Sequence, residues 1–466
     1  MPTNVTDEAA ALSYLARFGY LSSNTVQALR TAGTATRNNV ADSTLSAAIS
    51  EFQRMANLRP TGVLDAATYK AMSAPRCGMR ERRRAGASSR ISIGASFVAS
   101  GTSWQRGIVS YSFNKLTSDI TQAKQRTIIE TAFARWTAAV PLEFKEAAAG
   151  TTGDIVISFE TGDHGDGSPF DGSGNVLAHG FYPPPNGGTI AGDIHFDDDE
   201  KWQEGFAAGG FDMLAVAVHE IGHALGLDHT SVPNSTMNPF YPTPSTPADD
   251  DRAGIRQVYR EQVWIASMYR DLLGRRYDPD GFDGWVRQRY AGGSPESIAS
   301  GFVFSKEYCN ALATELYFTL LDRAPDPAGL DGWSAALQGG MSRQETMVGF
   351  LTSPEYVGTN PAPDQFVYSL YRRVLGREPD AAGLANWISL LASGGTPTDV
   401  ARGFVFSEEY SRSFARSLYL RFLRREPESA GWQSWTDALV RGTSQQDVLI
   451  GFLASREYRD ATIGWW

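Results

Sequence analysis

Hydrophobic positions change their period along the chain, and the changes divide it. From about residue 8 to 74 the apolar residues recur at helical spacing. Leu12, Leu15, Ala16 and Phe18 to Tyr20 open one face, and Leu45, Ala48, Ile49, Phe52 and Met55 form another. Thr61-Gly62 marks a turn, and Asp65 is placed to cap the helix that follows. An all-α domain is expected over residues 1–74. The segment 75–103 opens with PRCGMRERRRAGASSR (75–90), which is basic, rich in small residues and poor in apolar ones, so an exposed linker is expected there. Residues 104–260 mix two periods. Alternation at 108–113 and 154–159 predicts strands, while 128–140 and about 212–225 have helical periodicity. Between them, 161–200 is rich in Gly, Asp and Pro. A long structureless loop inside a compact domain needs a reason, and bound metal ions would supply one.

The remainder repeats. Tyr269, Tyr317, Tyr371 and Tyr419 are spaced 48, 54 and 48 residues apart. Trp285, Trp333, Trp387 and Trp435 keep the same register, as do Gly301, Gly349, Gly403 and Gly451 of the GF pairs. Four copies of one helical module follow, over 261–309, 310–358, 359–412 and 413–466. In the first copy DPDG (278–281) hints at calcium, but its counterpart PESAG (427–431) lacks the second acid, so a structural turn is the better reading.

Composition narrows the partners. A net charge of -10 and a pI near 5.2 argue against a nucleic-acid ligand. The two cysteines, Cys77 and Cys309, are far apart and do not suggest a disulfide framework. No apolar run reaches the length of a membrane span. The first 18 residues lack a basic n-region and an apolar h-region, which argues against a Sec-type signal peptide.

The strongest chemical signal is HEIGHALGLDH, 219–229. Residues i and i+4 share one helix face, so His219 and His223 can offer imidazoles to one ion. Gly226 lets the chain leave the helix, and His229 can then supply a third nitrogen. Three protein ligands leave a fourth position for water, the mark of a catalytic zinc. Glu220 is placed to take a proton from that water and hand it to a leaving amine. The other three histidines, His164, His179 and His195, all fall in the Gly/Asp-rich stretch with Asp166. Three imidazoles and one carboxylate make a closed set suited to structural zinc, although polar loop residues would look the same by spacing alone. Carboxylates with interspersed glycines in this stretch suit calcium, or else form a solvated acidic loop.

The order and spacing of DHGDGSPFDGSGNVLAHGFYPP, GDIHFDDDEKW, VAVHEIGHALGLDHT and MNPFY resemble those of the matrix metalloproteinases, or matrixins, across residues 8 to 260. The long zinc motif with a following Met-turn, here Met237, is the metzincin signature. The resemblance implies that His164, Asp166, His179 and His195 bind a structural zinc. It implies one calcium at Asp171, Gly172, Gly174, Val176, Asp197 and Glu200, and another at Asp154, Thr189, Ala191 and Asp193. Leu177, Ala178 and Gly180 would belong to the strand that pairs with an extended substrate, and Pro239, Phe240 and Tyr241 to the opposite wall. PRCG (75–78) looks like the family's cysteine switch, with Cys77 as the zinc ligand of a latent form. This chain has Arg80-Glu81 where the family continues with a Pro-Asp pair, Thr230 where Ser is usual, and Asn238 in place of a common aromatic. RERRR (80–84) reads equally as a cleavage site or a basic linker, and Asp250 and Asp251 match a pair that can receive a new N-terminus.

The expected fold class is therefore α+β. A metzincin catalytic domain, a mixed twisted sheet plus helices, lies between an all-α prodomain of peptidoglycan-binding type and an all-α repeat array that resembles a bacterial repeat domain of unknown function. The expected function is a secreted, latent zinc endopeptidase acting on exposed protein segments, with Zn2+ and Ca2+ as cofactors. The terminal domains would offer a cell-surface or cell-wall ligand site for targeting or adhesion. A cell-wall hydrolase and a non-enzymatic adhesion protein are the alternatives.

Overall fold

The computed structural model describes residues 5–32, 39–81, 91–92 and 98–466. The chain forms two compact units, one ending at Val263 and one running from Trp264 to Trp465.

The first unit begins with four helices, α1 (Glu8–Arg17), α2 (Ser23–Ala32), α3 (Asn39–Met55) and α4 (Ala66–Met72). Asp7 caps α1 through Ala10 N at 2.8 Å, and Asp65 caps α4 through Thr68 N at 2.8 Å, as its position predicts. Leu12, Leu15, Phe18, Ile49 and Phe52 bury the shared face. The buried Gln53 fixes the Thr61-Gly62 turn: its Oε1 accepts Gly62 N at 2.9 Å, and its Nε2 donates to Val63 O and Thr68 Oγ1. This helical core also takes in Phe170, Val176 and Phe240 from far downstream.

A six-stranded sheet follows, with β1 (Arg76–Cys77), β2 (Ile108–Lys115), β3 (Glu143–Glu146), β4 (Ile155–Glu160), β5 (Val176–Gly180) and β6 (Ile194–Asp197) in the spatial order β1-β5-β6-β4-β2-β3. Only the β5–β6 pair is antiparallel. Val109, Tyr111, Ile155, Ile157, Phe159, Ile194 and Phe196 point into one core. Helix α5 (Gln122–Thr137) covers it with Ile128, Ile129, Ala132, Phe133 and Trp136. Hydrophobic periodicity places the start of α5 near 128; its first turns are polar and mostly exposed. Gln125 is the exception, and its side chain bonds both the N–H and the carbonyl of Thr117.

Helix α6 (Met213–Ala224), capped by Asp212, is buried along nearly its whole length. Trp136 Nε1 donates to Val218 O at 2.9 Å and joins α5 to it. Its C-terminal carbonyls are also satisfied: Ala224 O accepts Trp104 Nε1 at 2.9 Å and Leu225 O accepts Tyr259 OH at 3.0 Å. The chain then turns at Gly226, with φ +101°, and a Cβ there would stand 2.3 Å from Thr102 O.

One expectation is overturned. Residues 75–81 are not an exposed linker: Arg76, Cys77 and Glu81 are buried. The charge that suggested exposure is neutralised locally, because Arg76 pairs with Glu81 while its guanidinium lies 3.6 Å from the centroid of the Phe18 ring. Residues 82–90 lie outside the described residues, so the RERRR segment is seen only at Arg80 and Glu81.

In the second unit a single set of contacts recurs with the sequence markers. Arg275, Arg323, Arg377 and Arg425 each pair with a glutamate 32 residues on, at Glu307, Glu355, Glu409 and Glu457. Each guanidinium lies 4.9–5.0 Å from the ring centroid of the marker tyrosine. Trp285, Trp333, Trp387 and Trp435 pack on Phe302, Phe350, Phe404 and Phe452 of the GF pairs. Asp278 of DPDG caps a helix through Gly281 N at 2.7 Å, a structural role. No described helix is long and apolar enough to cross a membrane.

A Gly226→Ala substitution should destabilise the first unit by at least about 2 kcal/mol, because it adds left-handed strain to a backbone clash. The check is the urea midpoint of the first unit's unfolding, which should fall with little change in slope.

Candidate metal centre

Helix α6 places two candidate ligands. His219 and His223 project from one face, and the turn at Gly226 returns His229 to the same point. Their second nitrogens are anchored: His219 Nδ1 donates to Thr236 O at 2.6 Å and His223 Nδ1 to Leu227 O at 2.8 Å. Those bonds fix the tautomer and aim both Nε2 lone pairs inward. Nε2 of His229 lies 3.3 Å from Nε2 of His219 and 3.1 Å from Nε2 of His223. A tetrahedral ion with metal–nitrogen bonds of about 2.0–2.1 Å spaces its ligands by roughly 3.4 Å, so the donor set fits zinc. Burial lowers the His219 pKa to about 4, which keeps its imidazole neutral and able to ligate. Met237 lies beneath, 2% exposed, its sulfur packed against the Gly222 face of α6. The Met-turn is shaped by buried Asp251, which accepts Ser235 Oγ at 2.6 Å, Thr236 N and Ala248 N at 2.8 Å each, and Met237 N at 3.3 Å.

Cys77 completes the group. Its Sγ lies within 4.8 Å of a donor nitrogen of each histidine and 3.5 Å from Glu220 Oε2. Burial, and then the Glu220 carboxylate, push its thiol well above the ordinary range. A dication held by the three imidazoles would supply the charge needed to draw that proton off. Glu220 is itself fully buried, with its pKa raised to about 8 by burial. Its Oε1 has no hydrogen-bond partner among the described residues.

The strand that carries Cys77 fills a cleft between two edges. Gly78 N donates to Ala178 O and Arg76 N to Asn175 O, both at 2.8 Å, and Leu177 and Gly180 lie on the same strand β5. On the opposite side Cys77 N donates to Pro239 O and Tyr241 N to Pro75 O, both at 2.9 Å, with Arg76 opposite Phe240. The sequence-predicted substrate edge and wall thus face each other across this strand, which runs parallel to β5. Thr230 N donates to Met237 O, and Asn238 Oδ1 accepts Phe240 N, so two of the three departures from the family pattern sit within the same turn.

A second cluster gathers the remaining histidines. His179 and His195 are cross-strand partners on β5 and β6. Asp166 Oδ2 lies 2.7 Å from Nε2 of His164 and of His179 and 2.9 Å from Nδ1 of His195. Burial alone would raise the Asp166 pKa, but its hydrogen bonds to histidine hold it below the usual carboxylate range.

The acidic residues fall into two groups. Asp197 and Glu200 are buried, and burial with neighbouring carboxylates raises their pKa values to about 6 and about 7. Asp197 Oδ2 has no hydrogen-bond partner among the described residues, and Glu200 Oε1 accepts Gly174 N at 2.5 Å. An orphaned buried carboxylate oxygen beside Asp171, Gly172, Gly174 and Val176 fits a hard cation. In the other group the Asp154 carboxylate is already engaged, Oδ1 by Arg106 at 2.5 Å and Oδ2 by Ser110. Asp193 Oδ1 accepts Val156 N at 2.9 Å. Near the Met-turn, Asp250 Oδ2 has no hydrogen-bond partner among the described residues, whereas Asp251 is fully engaged.

Sequence reasoning missed three features. Arg17 of α1 reaches Asp171 Oδ2 at 2.9 Å and Pro169 O at 3.0 Å. Tyr14 OH accepts Arg76 Nη1 at 2.6 Å. Glu81 Oε1, besides holding Arg76, lies 3.8 Å from His229 Nδ1. The acid at 81 was visible in the sequence; the partners of Arg17 and Tyr14 lie 154 and 62 residues away and carry no local signal.

Residues 103–260 match the family profile described as Matrixin, 10–72 match a putative peptidoglycan binding domain, and 311–360, 355–414 and 410–461 match a domain of unknown function (DUF4214). The chain is 41% identical over 218 residues to the hatching enzyme of Paracentrotus lividus, covering 46% of this chain and 34% of that protein. It is 40% identical over 225 residues to matrix metalloproteinase-25 of Mus musculus, covering 46% and 36%. It is 38% identical over 247 residues to matrix metalloproteinase-C of Caenorhabditis elegans, covering 51% and 39%. The chain thus spans little more than a third of the curated relatives it matches.

A Glu81→Ala substitution would leave the Arg76 guanidinium buried and unpaired, a loss of roughly 3–5 kcal/mol. The strand should leave the cleft and Cys77 should react with a thiol reagent in the uncut chain. Continued protection of Cys77 would show that the ion pair does not hold the strand.

Proposed function

With residues 103–260 a matrixin domain, we propose that the chain is a zinc-dependent endopeptidase made in a latent form, whose Pro75–Gly78 strand blocks its own cleft. The observation that carries this reading is the convergence of three imidazoles, two of them anchored to main-chain carbonyls, with a thiol and a buried glutamate at one point. His219, His223 and His229 would hold the zinc, with Cys77 as fourth ligand in the latent form. Zinc supplies Lewis acidity toward a carbonyl oxygen and lowers the pKa of water.

The chain's own residues do the rest. Asn175 O, Ala178 O and Pro239 O accept hydrogen bonds from the latent strand and Tyr241 N donates one, so the same edges can hold an extended substrate after the strand departs. With the strand in place, Glu220 is buried beside Cys77. Departure of the strand admits water and substrate to Glu220, whose Oε2 can take a proton and return it to the leaving amine. Asp250, with its orphaned oxygen, is the better receiver for an N-terminal ammonium formed by a cut in the linker. A structural zinc at His164, Asp166, His179 and His195 would pin the loop to β5 and β6. Calcium at Asp171, Gly172, Gly174, Val176, Asp197 and Glu200 would neutralise the buried carboxylates, and a second at Asp154, Thr189, Ala191 and Asp193 would bind largely through carbonyls.

Secretion and an extracellular protein substrate follow from this reading, and the repeats would serve targeting or adhesion. A cell-wall hydrolase is the second reading, favoured only by the match at residues 10–72.

The purified chain should hold two zinc ions and be inactive on casein. Cutting within 82–97 should release activity on casein and none on peptidoglycan. Glu220→Ala should lower turnover by at least about a hundredfold without loss of zinc. Cut protein that keeps both zinc ions and stays inactive on casein would contradict the proposal.

A pH dependence also follows. Asp197 and Glu200 have folded pKa values raised above their unfolded ones, so their contribution is fully present at low pH and lost as pH rises through about 6 to 7. In a chelator the melting temperature should fall across that range. Calcium should remove most of the fall, and an identical profile with and without calcium would count against the site.

A further inference from the structure

The segment EGFAAGG (204–210) is rich in glycine and would be mobile if left alone. It is instead fastened from within. Gln203 Nε2 reaches the carbonyls of Gly205 at 3.2 Å, Ala207 at 2.6 Å and Gly210 at 3.2 Å. Gly205 N donates at 3.0 Å to Asp212 Oδ1, the same carboxylate that caps α6, and Glu204 pairs with Lys124 at 2.8 Å. What this bracing presents is Phe206, 58% exposed. Its ring stacks on Tyr241, centroids 6.0 Å apart and planes 30° apart. Tyr241 is itself fixed, edge-on to Phe211 at 5.2 Å and accepting Asp212 N through its hydroxyl at 3.0 Å.

Position gives this pair a use. Cys77 stands at the metal, and Pro75, two residues away, gives its carbonyl to Tyr241 N. An extended chain in the cleft therefore passes Tyr241 two or three residues from the point that faces the metal. We propose that Phe206 and Tyr241 form an aromatic ledge that selects an apolar, preferably aromatic, substrate side chain two or three residues from the scissile bond, on the Pro239–Tyr241 side. The inference rests on the endopeptidase reading and names a specificity determinant for it. The occupant is an apolar side chain, because both rings offer faces and edges, and a third ring can stack on the exposed Phe206.

The test uses the full chain after cutting in 82–97, with quenched peptides that place Phe or Gly at each position two and three residues from the bond, on both sides. Wild-type protein should favour Phe over Gly at one position on a single side. Phe206→Ala should lower kcat/KM on that Phe peptide about three- to tenfold, through KM, and leave the Gly peptide unchanged. Phe206→Trp should keep the preference. Phe206 is largely exposed, so Phe206→Ala, which loses only the stack on Tyr241, should lower the melting temperature by no more than a few degrees, and Phe206→Trp by less. Equal effects on Phe and Gly peptides, no effect, or loss of preference on the opposite side would overturn the ledge while leaving the peptidase intact. Wild-type protein that cuts none of the peptides would overturn both.

Discussion

Three imidazole nitrogens pointed at one another across 3.1–3.3 Å are the constraint on which the first unit is built. Two of the rings give away their other proton to main-chain carbonyls, and burial keeps His219 neutral, so lone pairs converge where only a cation makes the arrangement favourable. The surrounding core serves that convergence. Trp136, Trp104 and Tyr259 satisfy carbonyls of α6 or of the residue after it, Gly226 turns the chain back, and Asp251 shapes the Met-turn that supplies Thr236 O.

The same centre explains the buried strand at 75–81. A basic segment enters an apolar cleft because each of its costs is met on site. Arg76 finds Glu81, Tyr14 and the Phe18 ring; its backbone finds β5 and the Pro239–Tyr241 wall. Burial opposes the charge on Arg76, but Glu81 outweighs it and holds the guanidinium protonated. Arg17 adds a contact at Asp171, which ties α1 to the acidic loop.

Much of this was legible in the sequence where the information is local. The motif at 219–229 carries its own geometry, since helix period and one glycine bring three imidazoles together. The second cluster was legible because His164, His179 and His195 are all the histidines left. The repeats were legible because Tyr, Trp and Gly markers keep one register, and the Arg–Glu pair 32 residues apart explains why. The exposed-linker expectation failed because charge was read without its distant partners. The start of α5 was missed because its first turns bury a glutamine and no apolar face. Carbonyl partners such as Thr236 O and Leu227 O leave no trace in residue type.

In the proposed latent form, one zinc in the uncut chain is held by three histidines and the Cys77 thiolate. X-ray absorption at the zinc edge reads the ligand atoms directly. A sulfur scatterer at about 2.3 Å is expected in the uncut protein, absent from Cys77→Ser and lost when the chain is cut within 82–97 and its N-terminal part removed. A first shell of nitrogen and oxygen alone in the uncut protein would contradict it.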